Sequence, residues 1–458
     1  MEKNFDLSTA NHEQLLALIA EQQAVIVQQQ AVIVQQQAVI QQLQRRIATL
    51  EAQLRPSGGG GAMPGTKPKT TRRKKRKDER KRRHHGFARR RMTPTETVDH
   101  AVEHCPDCGT RLQGGWVRRT REILEVPMTP LRVVEHRFLA RDCPLCQKRW
   151  VAPCALGDLV VGKQRMGVGL VSLIATLRET GRLPLRTIQW LVDTVYQLHL
   201  SVGGIVAVLH QTARQAQGAV AAVRERVRAS PVVHADETGW REEGVNGYVW
   251  TFSTPTERYF VRRGRDKGVV DEVLGEDFCG VLVSDFYAAY NHYPGPHQRC
   301  WAHLLGDIHD LRQLYPKDAG LARWAAAVRS VYDDACEINH PDARVRRQEQ
   351  RRLEERLMAI CRPFLDNPLA VQRKLCRRVE RFLPELFVFV AEPAVPPDNN
   401  AAERSLRHLV TQRKISGGTR SPRGTATKMA LASLFGTWQV QGLNPLLACR
   451  QLLVSPQE

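Results

Sequence analysis

The chain has 458 residues, 42% of them hydrophobic, and a formal net charge of +21. That length exceeds one compact core and implies two or three folded domains. It contains no apolar run of about 18 residues or more, which excludes a helical membrane span. Gln triplets interrupt its apolar N-terminal stretch, which argues against a signal peptide and gives a cytoplasmic expectation. Eleven cysteines, an odd number, without export features do not suggest a disulfide framework.

Residues 1–55 are expected to form a coiled coil. The unit QQQAVIV at Gln28–Val34 has a near copy on each side, and Ile19, Ile26, Ile33, Ile40, Ile47 and Leu54 recur every seven residues. Leu15, Gln22, Gln29, Gln36, Leu43 and Leu50 form the complementary column. A sustained seven-residue period implies a left-handed supercoil and hence a homo-oligomer, and the central glutamines can fix its register. Residues 56–100 form a basic flexible linker. Pro56–Gly65 ends the helix, and the stretch from Lys67 to Arg91 holds fifteen Lys or Arg against two acids. Such a run, including Lys74, Lys75, Arg76, Arg82 and Arg83, is suited to releasing counterions from nucleic acid.

Residues 101–155 hold two Cys-x-x-Cys pairs, Cys105–Cys108 and Cys143–Cys146. Two such knuckles place four thiolates around a structural Zn²⁺ as a zinc ribbon, with Gly109 permitting the tight turn after the first. Glu122–Val126 and Val133–Leu139 have strand composition. Two redox pairs are the rival reading, without thioredoxin-like context. Residues 156–229 have helical periodicity. Within them Leu185–Leu198 and Ser201–Gln215, the latter capped by Ser201, form either a helix-turn-helix that binds DNA or two ordinary packed helices.

From Pro231 the pattern turns to strands, at Val232–Ala235, Tyr248–Ser253, Arg258–Val261, Val281–Ser284 and Gln298–Trp301. Helices follow from Asp307 to about Val390. Pro393–Pro397 breaks the chain, helix resumes at Asn400, and Leu443–Leu453 is a last helix. The expected architecture is multidomain α/β: a catalytic core in two parts, 230–306 and 393–458, around a helical insertion at 307–392.

Asp236 and Asp285 each end a buried-type strand, and Glu403 opens a helix that Asp398 or Asn399 can cap. Three such carboxylates, brought together, suit hard divalent ions, and a pair of Mg²⁺ (or Mn²⁺) supports phosphodiester displacement. Each acid also has a plainer reading, the aspartates as caps and Glu403 as a partner of Arg404 or Arg407. A zinc deaminase is excluded, because His234-Ala235-Asp236 is not its His-x-Glu signature.

Several segments together resemble the bacterial transposases of insertion sequence family sixty-six. They are Asp236-Glu237-Thr238, Ser284-Asp285-Phe286-Tyr287-Ala288-Ala289-Tyr290, Cys300-Trp301-Ala302-His303 and Asp398-Asn399-Asn400-Ala401-Ala402-Glu403-Arg404 with Arg413-Lys414. The order of coiled coil, basic linker, zinc ribbon and core is similar as well. The resemblance implies a ribonuclease-H-like core with a DDE triad of Asp236, Asp285 and Glu403 and a mainly helical insertion before the Glu. It implies metal-dependent cleavage and strand transfer of DNA at terminal inverted repeats, into target DNA, with accessory proteins of the same element as possible partners. Arg404, Arg407, Arg413 and Lys414, beside the third acid, are candidate phosphate contacts. Ile415–Arg420 departs from the aromatic-rich form of the family, and Leu304–Asp307 stands where the family has a basic pair. The competing readings are a non-catalytic, zinc-containing DNA-binding regulator and a structure-specific nuclease on the same fold.

Overall fold

The computed structural model describes residues 20, 22, 23, 25, 26, 28–30, 92–124, 131–153, 156–162 and 164–454. They belong to two compact units, one up to Leu124 and one from Glu125 onward. The expected coiled coil lies largely outside the described residues; those described within it are helical and exposed. Lys74, Lys75, Arg76, Arg82 and Arg83 also lie outside them. No helix among the described residues is long and apolar enough to cross a membrane.

In the first unit, Cys105 and Cys108 sit in a tight turn. The Gly109 amide donates to Cys105 O (2.9 Å) and the Cys105 amide to Thr110 O (2.9 Å), with Gly109 at φ +71°. The second unit builds the same turn around Cys143 and Cys146. Gln147 N–H donates to Cys143 O (2.9 Å), Cys143 N–H to Lys148 O (3.0 Å), and Gln147 adopts φ +54°. This second knuckle turns the hairpin of β1 (Ala140–Asp142) and β2 (Arg149–Val151). The strand expected at Val133–Leu139 is not formed. Those residues are exposed and have no ladder partner among the described residues, so apolar alternation alone had nothing to pair with.

Four helices follow: α1 (Val168–Glu179), α2 (Leu185–Tyr196), α3 (Val202–Gln215) and α4 (Gln217–Arg228). Ser201 caps α3, its hydroxyl accepting from Gly204 N–H at 3.0 Å. The apolar stripes of α1, α2 and α3 are buried together with the last two described helices, α12 (Pro422–Val440) and α13 (Pro445–Val454), in one cluster that includes Ile174, Ile188, Ile205, Leu431, Phe435 and Leu453, whereas Val223 of α4 packs with Leu434 of α12 in a smaller one. Inside that contact the Lys428 ammonium of α12 meets the Glu179 carboxylate of α1 at 2.5 Å, with both side chains almost fully buried.

The central sheet is mixed, in the order β5-β4-β3-β6-β7. Strands β3 (Val232–Glu242), β4 (Val245–Ser253) and β5 (Arg258–Arg263) form an antiparallel meander. Helix α5 (Gly268–Leu274) then crosses to β6 (Val281–Ser284), parallel to β3, and β7 (His297–Arg299) is parallel to β6. Cys300 ends the last strand, and Trp301, expected in a strand, opens helix α6 (Trp301–Leu314). The insertion continues with α7 (Ala319–Glu337), α8 (Ala343–Cys361), α9 (Arg373–Arg381) and the short α10 (Val388–Ala391). Helix α11 (Asn400–Ser416) then returns to the sheet.

Side chains alternate along β3, so the sheet is covered on both faces. Val233 and Ala235 pack with α5 and Tyr290, whereas Trp240 packs with Leu406 and Leu409 of α11 and Met429 of α12. Val232 and Val283 join the core of the insertion, around Trp301, Leu353 and Phe387.

Removing one member of a buried ion pair leaves an uncompensated charge and costs roughly 3–5 kcal/mol. Lys428→Met is therefore expected to lower unfolding stability by about that amount. Adding Glu179→Leu should restore most of it, as read by urea denaturation; equal stability for the single and double variants would refute the account.

Candidate active site

Asp236 and Asp285 are brought together by register. In the parallel pair β3–β6, Val232 lies opposite Val281 and His234 opposite Val283. Extending that register by two residues sets Asp236 opposite Asp285, where β6 has just ended. Asp236 is half-buried, and its Oδ1 accepts the amide of Glu237 at 2.9 Å. Asp285 Oδ1 accepts the amide of Tyr287 at 2.9 Å. The peptide of Asp285 is fixed by Arg299, whose fully buried guanidinium donates to Asp285 O (2.8 Å), Asn291 Oδ1 (2.6 Å) and Glu385 Oε2 (2.5 Å). Glu385 belongs to the insertion, so the insertion helps hold the second acid.

Glu403 arrives on the first turn of α11. Its N-cap residue, Asn399, does not cap it, because that side chain is used elsewhere. Fully buried, Asn399 donates its Nδ2 to Ala235 O at 2.7 Å, and its Oδ1 faces His234 Nδ1 at 3.2 Å. With the amide so oriented, His234 must donate from Nδ1, and burial depresses its pKa. The Asn399 amide also donates to Cys300 Sγ at 3.2 Å. Ser405, farther along α11, pairs with Ser253 of β4 at 2.8 Å. These bonds seat the helix on the sheet next to Asp236. On the other side, His303 Nε2 of α6 stands 3.7 Å from Glu403 Oε1, with both side chains a little over one third exposed.

The acids are electrostatically joined. Burial pushes the Asp236 carboxyl up to about 8, aided by the charges of Glu237, Asp285 and, more weakly, Glu403, and opposed by the Glu237 amide. Glu237, which the sequence reading did not single out as a site residue, is likewise raised, by burial and then by Asp285. Its only sequence signal was adjacency to Asp236. Among the described residues, no group of three His, Cys, Asp or Glu side chains closes around one point as a preformed metal cage. The donor chemistry nonetheless fits hard divalent ions: oxygen ligands crowded at a cost that a cation would relieve.

The basic candidates separate. Arg404, Arg407 and Lys414 lie exposed along α11. Arg413 is half-buried; it donates to Thr238 Oγ1 at 3.1 Å and also to Gly239 O, so it braces β3. The departing segment after Lys414 has a structural task. Thr419 N–H donates to Arg241 O (2.9 Å) and Glu243 N–H to Thr419 O (3.0 Å), extending the sheet beside the end of β3. Gly418, at φ +117°, passes so close that a Cβ would lie 2.1 Å from Arg241 O, which requires glycine there.

One thiol of each knuckle leans toward thiolate. Cys108 is lowered by a hydrogen bond from the Thr110 hydroxyl, and Cys143 by backbone amides of Cys146 and Leu145.

With fold and geometry in view, comparison with known proteins gives a class. A family model described as Transposase IS66 family matches residues 163–427, more than half of the chain and the whole span from α1 through Glu403. The chain belongs to the IS66 family of transposases. It is also 39% identical over 71 residues to an uncharacterized protein of Sinorhizobium fredii, y4jO; that stretch is 16% of this chain and 22% of the relative.

A carboxyl whose folded pKa is raised contributes stability that is fully present below the usual carboxylate range and lost as pH rises. In chelator-treated protein, Asp236 should therefore erode stability from its ordinary 3.8 up to about pH 8. Asp236→Asn is expected to flatten that decline in thermal melts. Parallel pH profiles for the variant and the parent would contradict the burial of this charge.

Proposed function

We propose that this transposase cleaves DNA at the ends of its element and transfers the strands, using a ribonuclease-H-like core in which Asp236, Asp285 and Glu403 form the catalytic triad. The observation that carries the reading is the parallel β3–β6 register that sets Asp236 opposite Asp285, with Glu403 near enough for its charge to help raise the Asp236 carboxyl. Two Mg²⁺ or Mn²⁺ ions, when bound, would activate the attacking oxygen and stabilise the leaving one. In this reading the protein's own work is placement. Register sets the two aspartates side by side, the Asn399 clamp fixes Glu403 above them, and Arg299 prevents the Asp285 peptide from drifting. His303, beside Glu403, orients its carboxylate. Arg404, Arg407 and Lys414 hold phosphates along α11, and the basic run that includes Lys74, Lys75, Arg76, Arg82 and Arg83 adds sequence-independent attraction.

Cys105, Cys108, Cys143 and Cys146 hold one structural Zn²⁺ as a zinc ribbon. The support is that both pairs lie in the same amide-lined turn, which favours thiolate. The ribbon and the helices α1–α4 contact the terminal repeats, and the seven-residue repeat pairs protomers so that two ends meet. Accessory proteins of the element would join that assembly.

Asp236→Asn, Asp285→Asn and Glu403→Gln should each reduce divalent-metal-dependent cleavage of end-containing duplexes by about a thousandfold or more, while leaving affinity in Ca²⁺ within about threefold. A variant that cuts at the parental rate removes its acid from the triad. Cys105→Ser and Cys143→Ser should each lower bound zinc from one equivalent toward none, measured by elemental analysis of the purified full chain; full zinc content in both variants would refute the shared site.

A further inference from the structure

Glu237 has no place in the proposed triad, yet its side chain is only 6% exposed and both its oxygens are held. Oε2 accepts from the Tyr290 hydroxyl at 2.9 Å, and Oε1 accepts from Arg265 Nη2 at 3.1 Å. Tyr290 is fully buried and stays protonated, its pKa driven well up by burial and by the charge of Glu237. A buried carboxylate held this firmly is suited to fixing what it holds, and its outer partner is Arg265.

Arg265 lies in the loop between β5 and α5, with its side chain 47% exposed. Its guanidinium carbon is 3.9 Å from the ring centroid of Tyr287 and 5.1 Å from that of Tyr248. Tyr287 is the residue whose amide fixes Asp285 Oδ1, and Glu237 is the residue whose amide fixes Asp236 Oδ1. Arg265 is thus attached to the immediate supports of both aspartates. Exposed arginines ordinarily retain much rotamer freedom. Here stacking and a carboxylate restrict the planar group in advance, and Nε and Nη1 have no acceptor among the described residues.

We propose that Arg265 is a phosphate-binding residue of this active site, taking non-bridging oxygens of a DNA phosphodiester beside the cleaved bond, with Glu237, Tyr248 and Tyr287 as its positioning residues. This rests on the phosphodiester-cleavage reading above. The chemistry is complementary. A site crowded with carboxylates repels the DNA backbone, and a preset guanidinium offers a planar fork matched to phosphate oxygens. Glu237 would otherwise be a costly buried charge next to two others; holding the phosphate ligand gives it a role.

The test uses the full-length chain and duplexes carrying the terminal sequence of its element, with single methylphosphonates stepped through the cleavage region. Binding is measured in Ca²⁺, and cleavage separately in Mn²⁺. The parent should lose about tenfold in affinity at one or two adjacent positions. Arg265→Gln, which removes the charge and the fork but keeps a polar, flexible side chain, should bind unmodified DNA about tenfold more weakly and show no further loss at those positions. Glu237→Gln should blunt the same positional signal. Arg265→Lys should keep part of the affinity but lose cleavage rate, because it cannot supply the fork. If Arg265→Gln retains the parental interference profile at every position, Arg265 is only a structural counter-ion and the proposal is overturned. Absence of any Asp236-dependent cleavage by the parent would instead defeat the catalytic reading, and the Ca²⁺ binding profile would still decide the role of Arg265.

Discussion

One buried amide governs the geometry of the site. Asn399 precedes α11 and would ordinarily cap it, but its side chain satisfies the Ala235 carbonyl and the His234 imidazole instead. The Ala235 carbonyl lies just beyond the last pairing of β3 with β6, at His234. A buried carbonyl there needs a donor. By meeting that need from α11, the fold places the first turn of the helix, and Glu403 with it, next to Asp236. The capping duty falls to Asp398, whose Oδ1 accepts the Asn400 amide at 3.0 Å.

The same geometry creates an electrostatic conflict. Asp236 is half-buried within reach of the charges of Glu237, Asp285 and Glu403, and its carboxyl resists ionisation. Folding tolerates this because hydrogen bonds are spread over the neighbours: amides to Asp236 and Asp285, Tyr290 and Arg265 to Glu237. Perturbed carboxyls of this kind cluster where charge is used. Crowded carboxylate oxygens of this kind are suited to hard cations.

Neither flanking helical region is an appendage. The insertion reaches the sheet through Glu385 and Arg299, which ends at the Asp285 carbonyl. Helices α1–α3 share a core with α12 and α13, and the Glu179–Lys428 pair lies within it. The chain thus closes on itself, early helices against late ones, and the sheet is held between them.

Much of the secondary structure was legible in the sequence. The β-branched runs marked β3, β4, β5 and β6, and Ser201 marked the start of α3. Local chemistry sufficed there: alternation, turn residues, a hydroxyl before an apolar helix. It failed at Trp301, whose aromatic character suggested a strand although Cys300 had already ended one, and at Val133–Leu139, where no neighbour supplied a ladder. That Asp236, Asp285 and Glu403 were candidates followed from expected element ends and from resemblance, although β3 in fact runs on past Asp236 to Glu242. That they lie together required the parallel register of β3 and β6 and the Asn399 bond to β3, contacts spanning 164 residues. The roles of Glu237, Arg265, Arg299 and Arg413 were likewise invisible beforehand. A sequence displays a charged side chain's identity, but its work depends on which distant partner ends within hydrogen-bonding reach, and only tertiary packing settles that.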